Sequence, residues 1–158
     1  MARDVSFLQY MRAHGNTAGP TQRPYLNGAI CGILAFVPYE VLLRLTDGRE
    51  LIARDLGINI WESTAINAII MTLAGIVYAA IFKRAANDRR GGWLFGASYG
   101  FLWWIIAPIS LLQLFNSRPV AVGTAAMGLF GAHVLYGLVL GLIFPWVHSL
   151  IQAKLNNS

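Results

Sequence analysis

The chain reads as an all-α integral membrane protein, a four-helix bundle built as a two-plus-two pseudo-repeat with both termini in the cytoplasm. Three observations predict this. Of its 158 residues, 56% are hydrophobic and only 12% are charged, where an ordinary soluble domain carries about a quarter charged. The mean hydropathy is +0.55, and the apolar residues gather in four long runs rather than scattering. The last two runs also repeat the small-residue pattern of the first two.

Residues 1–26 form a polar N-terminal segment. Within it, Val5, Leu8 and Met11 fall at helical spacing and predict a short surface helix over 4–13. The Gly-, Pro- and Thr-containing stretch that follows reads as a linker. Arg3, Arg12 and Arg23 accompany no apolar core of the kind a secretory leader needs, so the segment is expected to stay on the protein.

The first span is placed at 27–45, long enough at ~1.5 Å per residue to cross a hydrocarbon core of ~30 Å. Residues 46–63 are too polar to span. Leu51, Ile52, Leu56, Ile60 and Trp61 suit an interfacial amphipathic segment, and an ordinary ordered loop is the alternative. Three further spans follow at 64–83, 92–115 and 123–147. The connection KRAANDRRGG is short and basic, Pro119 helps end helical structure in the next one, and the tail IQAKLNNS reads as short and polar.

Orientation follows from the cations. Arg3, Arg12, Arg23, Lys83, Arg84, Arg89, Arg90 and Lys154 fall on one side, against Arg44, Arg49, Arg54 and Arg118 on the other. Both termini are therefore expected in the cytoplasm. A formal charge of +5 would suggest nucleic acid in a soluble protein. With no basic helix or RNA-binding motif here, no nucleic-acid partner is expected. The single cysteine, Cys31, excludes an internal disulfide and a cysteine-based metal site.

The halves match in detail. Gly28-Ala29-Ile30-Cys31-Gly32 opens span one as Gly96-Ala97-Ser98-Tyr99-Gly100 opens span three, with Pro38 and Pro108 further along. LAGIVYAAIF at 73–82 matches LYGLVLGLIF at 135–144. Each span thus carries two small residues four apart: Gly28/Gly32, Gly75/Ala79, Gly96/Gly100 and Gly137/Gly141. Residues at that spacing share a helix face. Small ones let backbones approach where lipid supplies no hydrophobic drive. The repeat is parallel rather than inverted; transport is not inferred from it.

Phe82-Lys83, Gly92, Gly96, Pro108 and Phe130-Gly131-Ala132-His133, in that order, resemble the YagU-like bacterial inner-membrane proteins. The likeness covers about half the chain and departs from the family in separating Gly131 from His133 by one residue. It implies a small multi-pass protein of the bacterial inner membrane.

Ionisable groups at membrane depth cost several kcal/mol unless paired, which makes them candidates for function. Glu40 and His133 stand out. Arg44 is four residues from Glu40, and Asn67 sits near the same level. A sharp reading makes Glu40 and His133 a protonatable or ligand-binding pair with Arg44 and Asn67 as neighbours. The plainer reading has Glu40 and Arg44 satisfy each other while His133 bonds across helices. Pro38 frees a backbone carbonyl for either.

No cofactor and no metal are expected. Haem or a pigment on His133 is the exception weighed, since His14 and His148 fall in or near water. Trp61, Trp93 and Trp146 lie near span ends and suit interfacial belts; Tyr99, Trp103 and Trp104 read as packing or lipid-facing aromatics. No HExxH, GxSxG or P-loop is present, so no enzyme is expected. The functional expectation is a membrane protein that works through helix packing, as a homo-oligomer or as an accessory subunit of a larger membrane complex. The rivals are a small proton-linked transporter or channel using Glu40 and His133, and a haem- or pigment-binding subunit.

Overall fold

Apolar runs become helices here because in lipid every backbone N–H and C=O must find its partner within the segment. The structure, a computed structural model, describes residues 21–107 and 123–156, and these are helical throughout apart from short connections. The helices are α1 (Pro24–Leu45), α2 (Gly48–Leu56), α3 (Ile60–Phe82), α4 (Gly92–Trp104) and α5 (Thr124–Asn156), with a 3-10 turn at Ala85–Asn87. Three of them, α1, α3 and α5, are long and apolar enough to cross a membrane. The fourth apolar helix is shorter, Gly92–Ala107. Residues 108–115 of the third predicted span, the helix predicted at 4–13, the linker up to 20 and Pro119 lie outside the described residues.

Local signals set the boundaries. Proline at its first position, whose missing N–H costs nothing there, lets α1 begin at Pro24, three residues before the predicted start. The first residue of α3 is Ile60, because Asn59 and Glu62 form a capping box: the Asn59 side chain accepts from the Glu62 N–H, and the Glu62 carboxylate accepts from the Asn59 N–H. Between them, residues 48–56 are a helix rather than a loop. Gly57 ends it at φ 68°, a conformation that glycine adopts freely.

The last helix outruns the fourth predicted span. Helix α5 runs to Asn156, carrying Pro145 inside it, since residues 148–156 contain no glycine or proline to stop it.

The packing order of the long helices is α3, α1, α5, α4. Stripes of residues spaced by four make the core: Cys31, Ala35, Tyr39 and Leu43 on α1, and Ala132, Tyr136, Leu140 and Phe144 on α5, all buried. Helices α3 and α4 scarcely meet backbone to backbone. The rings of Tyr78, Phe82, Phe95 and Tyr99 bridge them, with centroids 4.8–6.0 Å apart. Tyrosine hydroxyls add cross-links, from Tyr99 to the Ala74 carbonyl at 2.5 Å and from Tyr136 to the Met71 carbonyl at 2.6 Å.

The glycine pairs form two equivalent seams. Gly28 and Gly32 face Gly75 and Met71 across α1 and α3, while Gly96 and Gly100 face Gly137 and His133 across α4 and α5. A Cβ on Gly32 would stand 2.7 Å from the Met71 carbonyl oxygen. The seams therefore lie inside the chain, each joining the two long helices of one half. Ala79, buried, extends the first seam as Gly141, against Gly92, extends the second.

The helix ends sort by charge. The start of α1 lies beside the end of α3 and the last turns of α5: the Thr21 hydroxyl donates to the Lys83 carbonyl at 3.0 Å and the Gln22 N–H to His148 Nε2 at 3.0 Å. This end exposes Arg23, Lys83, Arg84, Arg89, Arg90 and Lys154. The opposite end, around α2, exposes Asp47, Glu50 and Glu62 alongside Arg44 and Arg54.

Candidate functional site

Glu40 comes to rest at the acidic end, on the last turns of α1, where α2 folds back under α3. Its carboxylate gathers three donors. Arg44 Nε lies 2.9 Å from Oε1, as the four-residue spacing predicts. Thr64 at the start of α3 donates to the same oxygen at 3.2 Å. Arg49 of α2 supplies a fork, with Nε on Oε1 at 3.2 Å and Nη2 on Oε2. The remaining Arg49 nitrogen, Nη1, donates to the Ser63 hydroxyl at 3.1 Å.

Arg49 is fully buried. Burial pulls its guanidinium below the ordinary value, while nearby Tyr39 and Glu50 act the other way. A guanidinium stays charged inside proteins, so its contact with the Glu40 carboxylate is an ion pair. Two cations on one carboxylate leave the cluster with a net positive charge. The side chain of Arg44, nearly half exposed, reaches outward and stacks over the Trp61 ring at 5.7 Å.

Arg49 is the residue that sequence reasoning missed. It lies in a polar stretch, where an arginine reads first as an outer charge. The signal was present in its spacing: Arg49, Ile52 and Ala53 share one face of α2, and all three are buried. Ser63 and Thr64 were missed with it, as residues at the edge of a span.

His133 is buried at 3% exposure, as its place on the Gly137/Gly141 face implies. Its partners are not those of the sharp reading. Nδ1 contacts the Leu129 carbonyl of its own helix at 2.8 Å, and the ring meets Tyr39 edge-on with centroids 5.2 Å apart. Tyr39 and Glu40 are consecutive on α1, so they point roughly 100° apart on a helix of 3.6 residues per turn. Tyr39 faces α5 and Glu40 faces α2 and α3. The anticipated Glu40–His133 pair is thus replaced by a Glu40–Arg49 pair, with His133 on the neighbouring face.

Asn67 joins neither group; its Nδ2 is buried without a hydrogen bond among the described residues. Elsewhere, buried Asn27 donates to the Phe144 carbonyl at 3.4 Å and ties α1 to α5.

The arrangement can hold charge and fix α2 against the ends of α1 and α3. No group of three His, Cys, Asp or Glu comes together among the described residues. His133 and His148 lie on one helix, roughly 22 Å apart along the axis at ~1.5 Å per residue, too far to share one metal.

Against known proteins, the chain is 27% identical over 104 residues to ATP synthase subunit a of Myxococcus xanthus (strain DK1622). The match takes in 62% of this chain and 34% of that protein, so the chain spans about a third of the relative's length. No family model matches the chain. No solved structure matches it. The three helices long and apolar enough to cross a bilayer indicate a membrane protein.

Proposed function

We propose that this chain is a non-enzymatic subunit of a larger membrane complex, embedded as a four-helix bundle in a bacterial inner membrane with its basic end toward the cytoplasm. The glycine seams carry the reading. They fuse the helices of each half at backbone distance, so the small-residue faces are consumed within the chain. What the chain presents outward is a rigid apolar surface, including Ile66, Ile69, Ile70, Leu73, Val77 and Ile81 along α3. Such a surface is available to lipid and to the helices of other subunits. The likeness to a subunit of ATP synthase supports membership in an assembly.

The orientation is supported by the charge distribution. Arg49 is buried against Glu40 and Arg44 is bound to the same carboxylate. Arg23, Lys83, Arg84, Arg89, Arg90 and Lys154 are exposed at the basic end against Arg44 and Arg54 at the other, the excess that orients membrane proteins. Transport through a Glu40–His133 relay has less support, since two guanidinium groups neutralise Glu40 and His133 turns to its own helix.

Native mass spectrometry on protein gently extracted from its own membrane tests the reading. The expected result is an assembly containing this chain together with different polypeptides. A monomer or a pure homo-oligomer across several mild detergents would overturn it.

A further inference from the structure

At the basic end a cleft opens between the first turn of α1 and the last turn of α3. It encloses about 320 Å³ and is lined by Thr21, Pro24, Tyr25, Ala79, Ala80, Lys83 and Arg84. Its chemistry is divided. Pro24, Ala79, Ala80 and the ring of Tyr25 make apolar walls, and the two alanines keep α3 thin where a larger side chain would fill the space. Lys83 and Arg84 stand at the mouth, both exposed.

No carboxylate lines the cleft, and neither cation forms an ion pair among the described residues. Lys83 is held in place rather than left to fray. It closes α3 at φ 46°, a backbone conformation that side-chain-bearing residues rarely adopt. The Thr21 hydroxyl grips its carbonyl at 3.0 Å.

We propose that this cleft binds an anionic phospholipid, with the headgroup phosphate between Lys83 and Arg84 and the start of an acyl chain along Tyr25 and Ala80. A mixed cleft at the boundary of two apolar helices lies at headgroup depth, where an amphiphile arrives already oriented. Basic pockets between membrane helices take anionic headgroups for this reason. The inference needs only that the chain lies in a bilayer; it does not depend on membership in a complex.

The test uses the full chain, purified and delipidated in a neutral detergent. Thermal unfolding and native mass spectrometry are followed on titration with phosphatidylglycerol, phosphatidylcholine or inorganic phosphate. Phosphatidylglycerol is expected to bind and raise the melting temperature, and the other two are not. Lys83→Gln with Arg84→Gln should weaken phosphatidylglycerol binding by about fivefold per charge removed. Arg90→Gln with Lys154→Gln removes as much charge from the same end and should leave binding in place. Ala80→Leu, at an exposed position, should block the cleft without unfolding the chain.

Equal stabilisation by inorganic phosphate would make this a simple anion site and overturn the lipid assignment. Equal weakening by both charge pairs would mean a diffuse surface attraction and no cleft site. Unchanged binding in both Ala80→Leu and the Lys83/Arg84 variant would also overturn it.

Discussion

Removing the charge of Glu40 strands Arg49, because a buried guanidinium then keeps only neutral acceptors, the new amide oxygen and the Ser63 hydroxyl, in place of a carboxylate. Glu40→Gln is expected to destabilise the protein by about 3 kcal/mol, the cost of breaking one side of a buried pair. Arg49→Met should cost clearly less, since Glu40 retains Arg44 and Thr64 and the methionine fills similar volume. Thermal unfolding of both variants in one detergent checks the order, and equal losses would refute it. Glu40 and Arg44 were legible in the sequence, because an i, i+4 pair is written in the spacing. Arg49 was less so: its spacing with Ile52 and Ala53 puts it on their buried face, but an arginine in a polar stretch reads first as a solvated charge. His133 was legible as buried, but its partner is a carbonyl of its own helix, which no pattern of side chains discloses.

Among helices, glycine has two opposite meanings, and the contacts separate them. A Cβ at Gly96 would stand 2.8 Å from the backbone of Gly141 and closer still to the Gly137 carbonyl oxygen. A Cβ at Gly131 would meet only the Leu42 side chain at 3.5 Å, an ordinary contact. Gly96→Ala should therefore lower the melting temperature by forcing α4 from α5. Gly131→Ala should raise it, by up to about 1 kcal/mol of helix propensity. If both shift in the same direction, the seam is not where the geometry puts it. The four small pairs and the existence of α1, α3 and α5 were readable from apolar length and spacing. The extension of α5 to Asn156 was not, since a polar surface ended the hydropathy signal while nothing ended the helix. Helix α2 was half readable: its apolar residues showed, but the arginine on their face reads first as a solvated charge.

Seen whole, the chain has a basic end and an acidic end, and that polarity makes a topology prediction. Single cysteines placed at Arg54 and at Lys154, both exposed and at opposite ends, should label from opposite sides of an intact membrane. With Cys31 buried, the background is low. The Lys154 position should react only when the reagent reaches the cytoplasmic side, and the reverse pattern would invert the orientation. The repeat was legible in outline, but its asymmetry was not. Equivalent seams close both halves, yet α1 packs against α5 while its counterpart, α4 against α3, is held apart by aromatic rings. Tyr78 and Tyr99, whose rings fill the gap between α3 and α4, occupy positions whose counterparts in the other half are Leu140 and Cys31.

Each backbone seam joins two helices of the same half, α1 with α3 and α4 with α5. The contacts that cross between the halves are side-chain contacts: Tyr39 on His133, Tyr136 on Met71, Tyr99 on Ala74. The order of assembly follows from the order of synthesis. The first hairpin can close its seam before the second has left the ribosome, and the second then docks as a finished piece. Folding by such near-sequence contacts is fast and exposes few unpaired surfaces on the way. A duplicated hairpin thus serves as a biogenesis device, each copy securing itself before it meets the other.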